Sequence, residues 1–227
     1  MNRRPVIFLG PSLPLAEARA ILDADYRPPV KRGDLLEAAR ERPPLIGVID
    51  GVFLHTLTPS PHEVLRVLRE GIPILGASSL GALRAVELAP FGMVGVGRIY
   101  RMFLRRDLVA DDEVALVFSG EDLRPLSEAM VNIRFALSEA RRAGVIDAQE
   151  RRELVRIGKA LYFPDRTWGR ILREARDSLP AATLERLAAF VKGGDFDLKA
   201  RDARLLLAEA KRRLAREGTS RAPSEGG

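Results

Sequence analysis

The stretch Gly71-Ile-Pro-Ile-Leu-Gly-Ala-Ser-Ser-Leu-Gly-Ala-Leu-Arg-Ala-Val-Glu87 changes character half-way along. Ile72 to Leu75 is a short apolar run of strand type, and Gly76 to Ser79 is a run of small residues. From Leu80 the apolar residues return at helical spacing. The stretch reads as a strand-to-helix elbow that carries two serines. Ala77-Ser78-Ser79-Leu80-Gly81 follows the Gly-x-Ser-x-Gly pattern of nucleophile elbows with alanine for the first glycine, which sets Ser79 at the nucleophile position with Ser78 beside it. Unpaired N–H groups in the first helical turn would favour an anion or oxyanion there. The same residues also fit a plain strand followed by an N-capped helix, with Ser78 or Ser79 as the cap and Gly81 for close packing.

Two earlier runs repeat the design. Val6 to Leu9 ends in Gly10-Pro11-Ser12, and Leu45 to Ile49 ends in Asp50-Gly51. Helical patterns stand between the runs, at Leu15 to Ala24, Asp34 to Glu41 and His62 to Glu70. Strands separated by helices of this size predict βαβ crossovers, and hence an α/β fold with a mostly parallel sheet and flanking helices. A parallel sheet gathers the carboxyl ends of its strands at one edge, so loops bearing Ser12, Asp50 and Ser79 are expected to converge on one crevice. Glu113 to Phe118 is predicted as a further strand, introduced by Asp111-Asp112 and closed by Ser119-Gly120.

From Ser127 onward the apolar residues fall at helical spacing, through Met130, Ile133 and Leu137, then Leu154, Ile157 and Leu161, then Leu184, Leu187 and Val191, and finally Leu205 to Leu207 and Leu214. The predicted organisation is an α/β core over residues 1–120 containing the serine elbow, a helical region over 121–217, and a polar, disordered tail over 218–227.

Composition narrows the function classes. A chain of 227 residues with 46% hydrophobic content buries one good core and a smaller annex. The formal charge of +6 and a pI near 10.1 suit an acidic partner. With 31 acidic residues present and the basic ones spread rather than massed with aromatics, nucleic acid is not the expected partner. Cysteine is absent, which removes disulfides, thiolate nucleophiles, persulfide carriers and thiolate-ligated zinc together. Any sulfur chemistry must therefore use sulfur held by another molecule. No apolar run reaches the roughly 18 residues of a membrane span, and Met1-Asn2-Arg3-Arg4-Pro5 leads into a strand without the core of a signal peptide, so a cytoplasmic protein is expected. Gly-x-x-x-x-Gly-Lys-[Ser/Thr] does not occur, so no P-loop is available.

A set of motifs runs through the first half of the chain: Val6-Ile7-Phe8-Leu9-Gly10-Pro11-Ser12-Leu13, Ile49-Asp50-Gly51-Val52-Phe53, and Gly76-Ala77-Ser78-Ser79-Leu80-Gly81-Ala82-Leu83-Arg84-Ala85. It continues with Gly92-Met93-Val94-Gly95-Val96-Gly97, Asp111-Asp112-Glu113-Val114-Ala115 and Ser127-Glu128-Ala129-Met130-Val131-Asn132-Ile133-Arg134. Together these motifs resemble the TfuA-like proteins, which accompany YcaO enzymes in installing thioamides into peptide backbones. The resemblance covers residues 6–134 and has a late echo in Phe163-Pro164-Asp165-Arg166-Thr167-Trp168. It implies an accessory protein that helps a YcaO enzyme engage its peptide substrate. It also implies hydrolysis of the thiocarboxylate at the tail of a ubiquitin-like (ThiS-like) sulfur carrier, releasing sulfide from a hydrolase-like site with a serine and lysine pair. ATP-driven activation of the amide belongs to YcaO, and no cofactor is implied for this chain. A non-catalytic adaptor that docks YcaO to the carrier is the alternative.

Hydrolysing a thioacid needs a nucleophile, a base and donors for the oxyanion. Ser79 suits the first role, with Ser78 as its rival, and the helix start at Leu80 to Gly81 suits the third. Arginine cannot serve as the base, whereas a desolvated lysine can. Of the five lysines, Lys31 lies in a Pro-rich loop, and Lys192, Lys199 and Lys211 read as solvated helix or linker charges. Lys159 stands at the edge of the stripe Leu154, Ile157, Gly158 and Leu161, and either reaches inward or snorkels to water. His62 is a second candidate base. Asp50 is either an orienting carboxylate or the opening of an Asp-Gly turn. Arg84 either holds the carrier's tail carboxyl or pairs with Glu87. Ser12 and Asn132 complete the expected substrate-binding set. Asp111-Asp112-Glu113 is either a cation site or a solvated turn, and no metal is expected.

Overall fold

Among the described residues five short strands, β1 (Val6–Phe8), β2 (Asp25–Arg27), β3 (Ile46–Val48), β4 (Ile74–Gly76) and β5 (Val94–Gly95), alternate with α1 (Leu15–Ile21), α2 (Asp34–Arg40), α3 (Pro61–Arg69), α4 (Leu80–Leu88) and α5 (Gly97–Leu104). Five further helices follow: α6 (Met130–Arg142), α7 (Ala148–Ala160), α8 (Trp168–Glu174), α9 (Ala181–Gly193) and α10 (Leu198–Ser220). The computed structural model describes residues 3–52 and 57–220. Phe53 of the Ile49–Phe53 motif and residues 221–227 of the predicted tail lie outside the described residues, while 218–220 are the last residues of α10 rather than tail. The chain divides into two units, residues 1–107 with 200–227, and residues 108–199.

All strand pairings in the first unit are parallel, and the order is β2-β1-β3-β4-β5. The expected parallel α/β sheet with flanking helices is the observed one. Period-two alternation sorts the side chains between two faces. Val6, Phe8, Ile46, Val48 and Ile74 pack with Leu35, Val64, Val67, Leu80 and Ala85 from α2, α3 and α4. Ile7, Leu9, Leu45, Ile49 and Leu75 pack with Ala18 of α1 and with Ala203, Leu206, Leu207 and Ala210 of α10. The apolar stripe of α10 is thus what returns residues from 200 onward to the α/β unit, whereas the sequence assigns them to the helical region. Because β1 is flanked by β2 and β3, the chain reverses its winding between β1 and β3. In this strand order, that of flavodoxin-like sheets, ligands bind outside the carboxyl ends of the strands at the switch point.

The second unit is helical. Met130, Ile133 and Leu137 of α6 meet Leu154 and Ile157 of α7, Ile171 of α8, and Leu184 and Leu187 of α9 in one apolar cluster. A capping box starts α7: the Asp147 carboxylate accepts the N–H groups of Gln149 and Glu150, and Glu150 accepts that of Asp147. The strand predicted over Glu113 to Phe118 does not form. Asp111–Glu113 is a 3-10 turn, and only Phe118 makes a bridge, to Pro125. Tertiary contacts hold the segment instead: the carboxylates of Asp112 and Glu113 are drawn into ion pairs, and the Val114 carbonyl accepts from Lys199 Nζ at 2.9 Å rather than from a neighbouring strand. Among the described residues no helix is long and apolar enough to cross a membrane.

Candidate functional site

Strand β4 passes into α4 through Ala77, Ser78 and Ser79. Ser78 has φ +65°, a left-handed conformation that costs a residue with a Cβ about 1–2 kcal/mol. Ser79 has φ −112° and is the N-cap residue of α4, without a side-chain capping hydrogen bond. Two glycines let the helix start this close to the sheet. A Cβ on Gly81 would overlap the Val48 carbonyl oxygen, and one on Gly76 would overlap that of Gly81. Gly76 stands two residues before Ser78, so in three dimensions the first glycine of the elbow pattern belongs to Gly76-Ala77-Ser78. The strained position therefore lies one residue upstream of the position assigned from sequence spacing.

A hydrogen-bond chain leads away from this serine. Ser78 Oγ donates to Ser12 Oγ at 2.9 Å, and Ser12 Oγ donates to Asp50 Oδ1 at 2.6 Å. The other carboxylate oxygen, Oδ2, accepts the N–H groups of Gly10 at 2.9 Å and Ser12 at 3.0 Å. Ser78, Asp50 and Ser12 are 0%, 1% and 2% exposed, so the chain is shielded from water. They follow β4, β3 and β1, and Ser12 with Asp50 occupies the β1/β3 switch point. Of the Leu80 and Gly81 amides, where an oxyanion site is expected, that of Gly81 donates to the Ile49 carbonyl at 3.4 Å; the neighbouring Ser79 N–H donates to the same carbonyl at 3.3 Å and to that of Ala77 at 2.8 Å. Arg84 pairs with Glu87 and donates to the Pro59 carbonyl at 2.9 Å and to Thr58 Oγ1 at 3.1 Å, so it fastens the segment before α3 to the elbow helix. His62 is an exposed residue in the first turn of α3.

In the helical unit Lys159 reaches two carboxylates, Asp112 and Glu113, the latter at 3.0 Å. Glu113, 3% exposed, is also gripped by both ends of the Arg134 guanidinium at 2.8 and 2.9 Å. Arg166, 1% exposed, donates to the carbonyls of Gly158, Asp112 and Leu161 and to Asp112 Oδ2 at 3.0 Å. Burial alone would raise the Asp112 carboxyl, but hydrogen bonds from Lys159 and Arg166 outweigh it and hold the group below its ordinary range. Asn132 spends its amide internally: Nδ2 donates to Glu128 and Asp197, each at 3.0 Å, and Oδ1 accepts the N–H groups of Leu198 and Lys199. Glu128 is pushed up by burial, with the Asp197 charge adding to it. Arg166 is a residue to which sequence reasoning gave no role, although it stands in the motifs quoted above.

Residues 50–167 match the family described as TfuA-like protein. The chain belongs to the TfuA-like family. The match covers just over half of the chain and runs from Asp50 through the elbow to Arg166 and Thr167. No curated protein matches this TfuA-like chain. Its two polar clusters differ in chemistry. The cluster around Glu113 and Lys159 consists of ions already paired with ions, and among the described residues no group of acidic or histidine side chains is arranged to hold a metal. The cluster around Ser78 consists of hydroxyls in series with one carboxylate, an arrangement that can pass a proton.

Proposed function

We propose that this TfuA-like protein is an accessory to YcaO-dependent backbone thioamidation, hydrolysing a thiocarboxylated, ThiS-like carrier to supply sulfide. The observation that supports hydrolysis is the strained, fully buried Ser78 on a strand-to-helix elbow, with its hydroxyl hydrogen-bonded toward a carboxylate. In this reading Ser78 Oγ attacks the thiocarboxylate carbon, and the C–S bond breaks. The sulfur departs as hydrosulfide carrying the proton that left Ser78, and water then hydrolyses the acyl-serine to return the carrier carboxylate. The absence of cysteine suits the scheme, because all the sulfur belongs to the carrier. Ser78 is shielded, so productive binding of the carrier tail includes uncovering this hydroxyl. Lys159, ion-paired with Asp112 and Glu113, is read as a structural cation rather than as the base.

The test is sulfide release from a thiocarboxylated ubiquitin-like carrier by the purified protein and its Ser78→Ala, Ser79→Ala and Lys159→Arg variants. Ser78→Ala loses release at least about 100-fold, with melting lowered by only about 2–4 °C, the effect of one lost hydrogen bond. Ser79→Ala and Lys159→Arg retain it. Loss confined to Ser79→Ala would return the nucleophile to Ser79, and loss in Lys159→Arg would restore the serine and lysine pair. Unchanged release in every variant would move the chemistry away from these three residues, and no release from the wild type while YcaO still binds would make the protein an adaptor.

A further inference from the structure

We propose that Ser12 and Asp50 form a two-step proton relay for Ser78, with Asp50 as the final acceptor. The inference rests on the reading of Ser78 as nucleophile and adds the identity of its base. The direction of the chain follows from donor and acceptor chemistry. Asp50 Oδ2 is occupied by two backbone N–H groups, which fix the carboxylate plane and turn Oδ1 toward Ser12. A carboxylate only accepts, so the single Ser12 proton points to Oδ1, and Ser12 then has only lone pairs to offer Ser78. The Ser78 proton must therefore point at Ser12. The 2.6 Å contact between Ser12 and Asp50 lies in the range of hydroxyl bonds to a charged oxygen.

As Ser78 bonds to the thiocarboxylate carbon, its proton passes to Ser12 Oγ and the Ser12 proton passes to Asp50 Oδ1. When the C–S bond breaks, Ser12 gives a proton to the departing sulfur and is recharged from Asp50. In deacylation the relay takes a proton from water and returns it to Ser78 as the ester cleaves. No oxidant or reductant is involved, and the net reaction is thiocarboxylate plus water to carboxylate, hydrosulfide and one proton, the second hydrogen of the attacking water leaving as the new carboxylic acid ionises. Ser12 touches the reacting oxygen and is catalytic in this scheme, while Asp50 acts through it.

Asp50→Asn separates the relay from the architecture. With its oxygen at the Oδ2 position, asparagine still accepts the Gly10 and Ser12 N–H groups, so the loop keeps its shape. Its NH2 then faces Ser12 Oγ as a donor and reverses the chain, leaving the Ser78 proton without an acceptor. Sulfide release from the thiocarboxylated carrier is measured for wild type, Asp50→Asn, Ser12→Ala and Ser78→Ala in mixtures of H2O and D2O. Wild type gives a curved proton inventory, reflecting two protons in flight. Asp50→Asn loses about 10²–10⁴-fold in kcat with KM within about twofold, the span that general base catalysis supplies. Ser12→Ala loses a similar factor, and its residual rate gives a linear inventory. If Ser78→Ala is inactive while Asp50→Asn and Ser12→Ala keep wild-type kcat, the relay is overturned and the nucleophile stands. If Ser78→Ala is active, the assignment of Ser78 as nucleophile fails, and if the wild type releases no sulfide, the hydrolase reading fails; either result takes the relay with it. Should Asp50→Asn not fold, Ser12→Ala decides alone: wild-type kcat with a curved inventory overturns the proposal.

Discussion

Replacing Ser78 by glycine and, separately, by alanine isolates the strain at the elbow from the chemistry of its hydroxyl. Both variants lose the hydroxyl and its 2.9 Å bond to Ser12, at a cost of about 1 kcal/mol. They differ in backbone cost. Alanine keeps the Cβ that makes φ +65° unfavourable by about 1–2 kcal/mol, whereas glycine occupies that region freely. Glycine in turn loses more chain entropy on folding, about 0.4–1 kcal/mol relative to alanine. The balance leaves Ser78→Gly more stable than Ser78→Ala by about 1 kcal/mol, and close to wild type. For a chain of 227 residues that difference is about 2–4 °C in melting temperature. Thermal unfolding followed by circular dichroism, with sulfide release assayed in parallel, gives the comparison. Both variants should be inactive, with glycine melting above alanine. If Ser78→Ala melts at or above Ser78→Gly, the elbow stores no strain at this residue, and backbone geometry ceases to favour Ser78 over Ser79.

Two further outcomes concern the helical unit. Glu113→Ala removes the shared acceptor of Arg134 and Lys159, whose side chains are 26% and 35% exposed, so the cost falls below that of a fully buried pair, at about 2–3 kcal/mol. A fall in melting temperature of about 4–12 °C is expected, and a change under 1 °C would contradict the ion-pair reading. Glu128 is raised by burial and by Asp197 above its ordinary 4.5, so the folded state holds this proton to a higher pH than the unfolded chain does. Its contribution is complete below about pH 4.5 and is lost as pH rises through the raised value. Melting of wild type minus Glu128→Gln should therefore increase on acidification from pH 7 toward 4.5, and a pH-independent difference would remove Glu128 as its source.

How much of this was legible in the chain depends on whether a feature is local. β1, β3 and β4 are runs of buried apolar residues ending in small ones, and periodicity exposes them. β2 is Asp25-Tyr26-Arg27, a half-buried edge strand with no apolar signal, and β5 has two residues, too few for any period. Convergence of the loops bearing Ser12 and Asp50 follows from parallel topology, so the sequence alone points to both residues. The partners of Lys159 and Arg166 were not legible, since Asp112 lies 47 and 54 residues away along the chain.

The choice between Ser78 and Ser79 shows where spacing stops and geometry takes over. The pattern Ala77-Ser78-Ser79-Leu80-Gly81 is satisfied by Ser79, but it measures distance along the chain and carries no dihedral angle. What sets the angle is contact: α4 starts against the Val48 carbonyl, where only Gly81 fits, and β4 ends against the Gly81 carbonyl, where only Gly76 fits. Between those two fixed glycines the backbone must turn sharply, and Ser78 is the residue that takes the positive φ. Glycine would take it at lower cost, and strain of this kind persists only where its surroundings hold it in place. Here they do so through a hydroxyl: Ser12 and Asp50, themselves fixed by the Gly10 and Ser12 amides, receive the bond that a glycine could not make. The strained backbone and the hydrogen-bond chain thus meet at one atom, Ser78 Oγ, and that coincidence separates it from its neighbour.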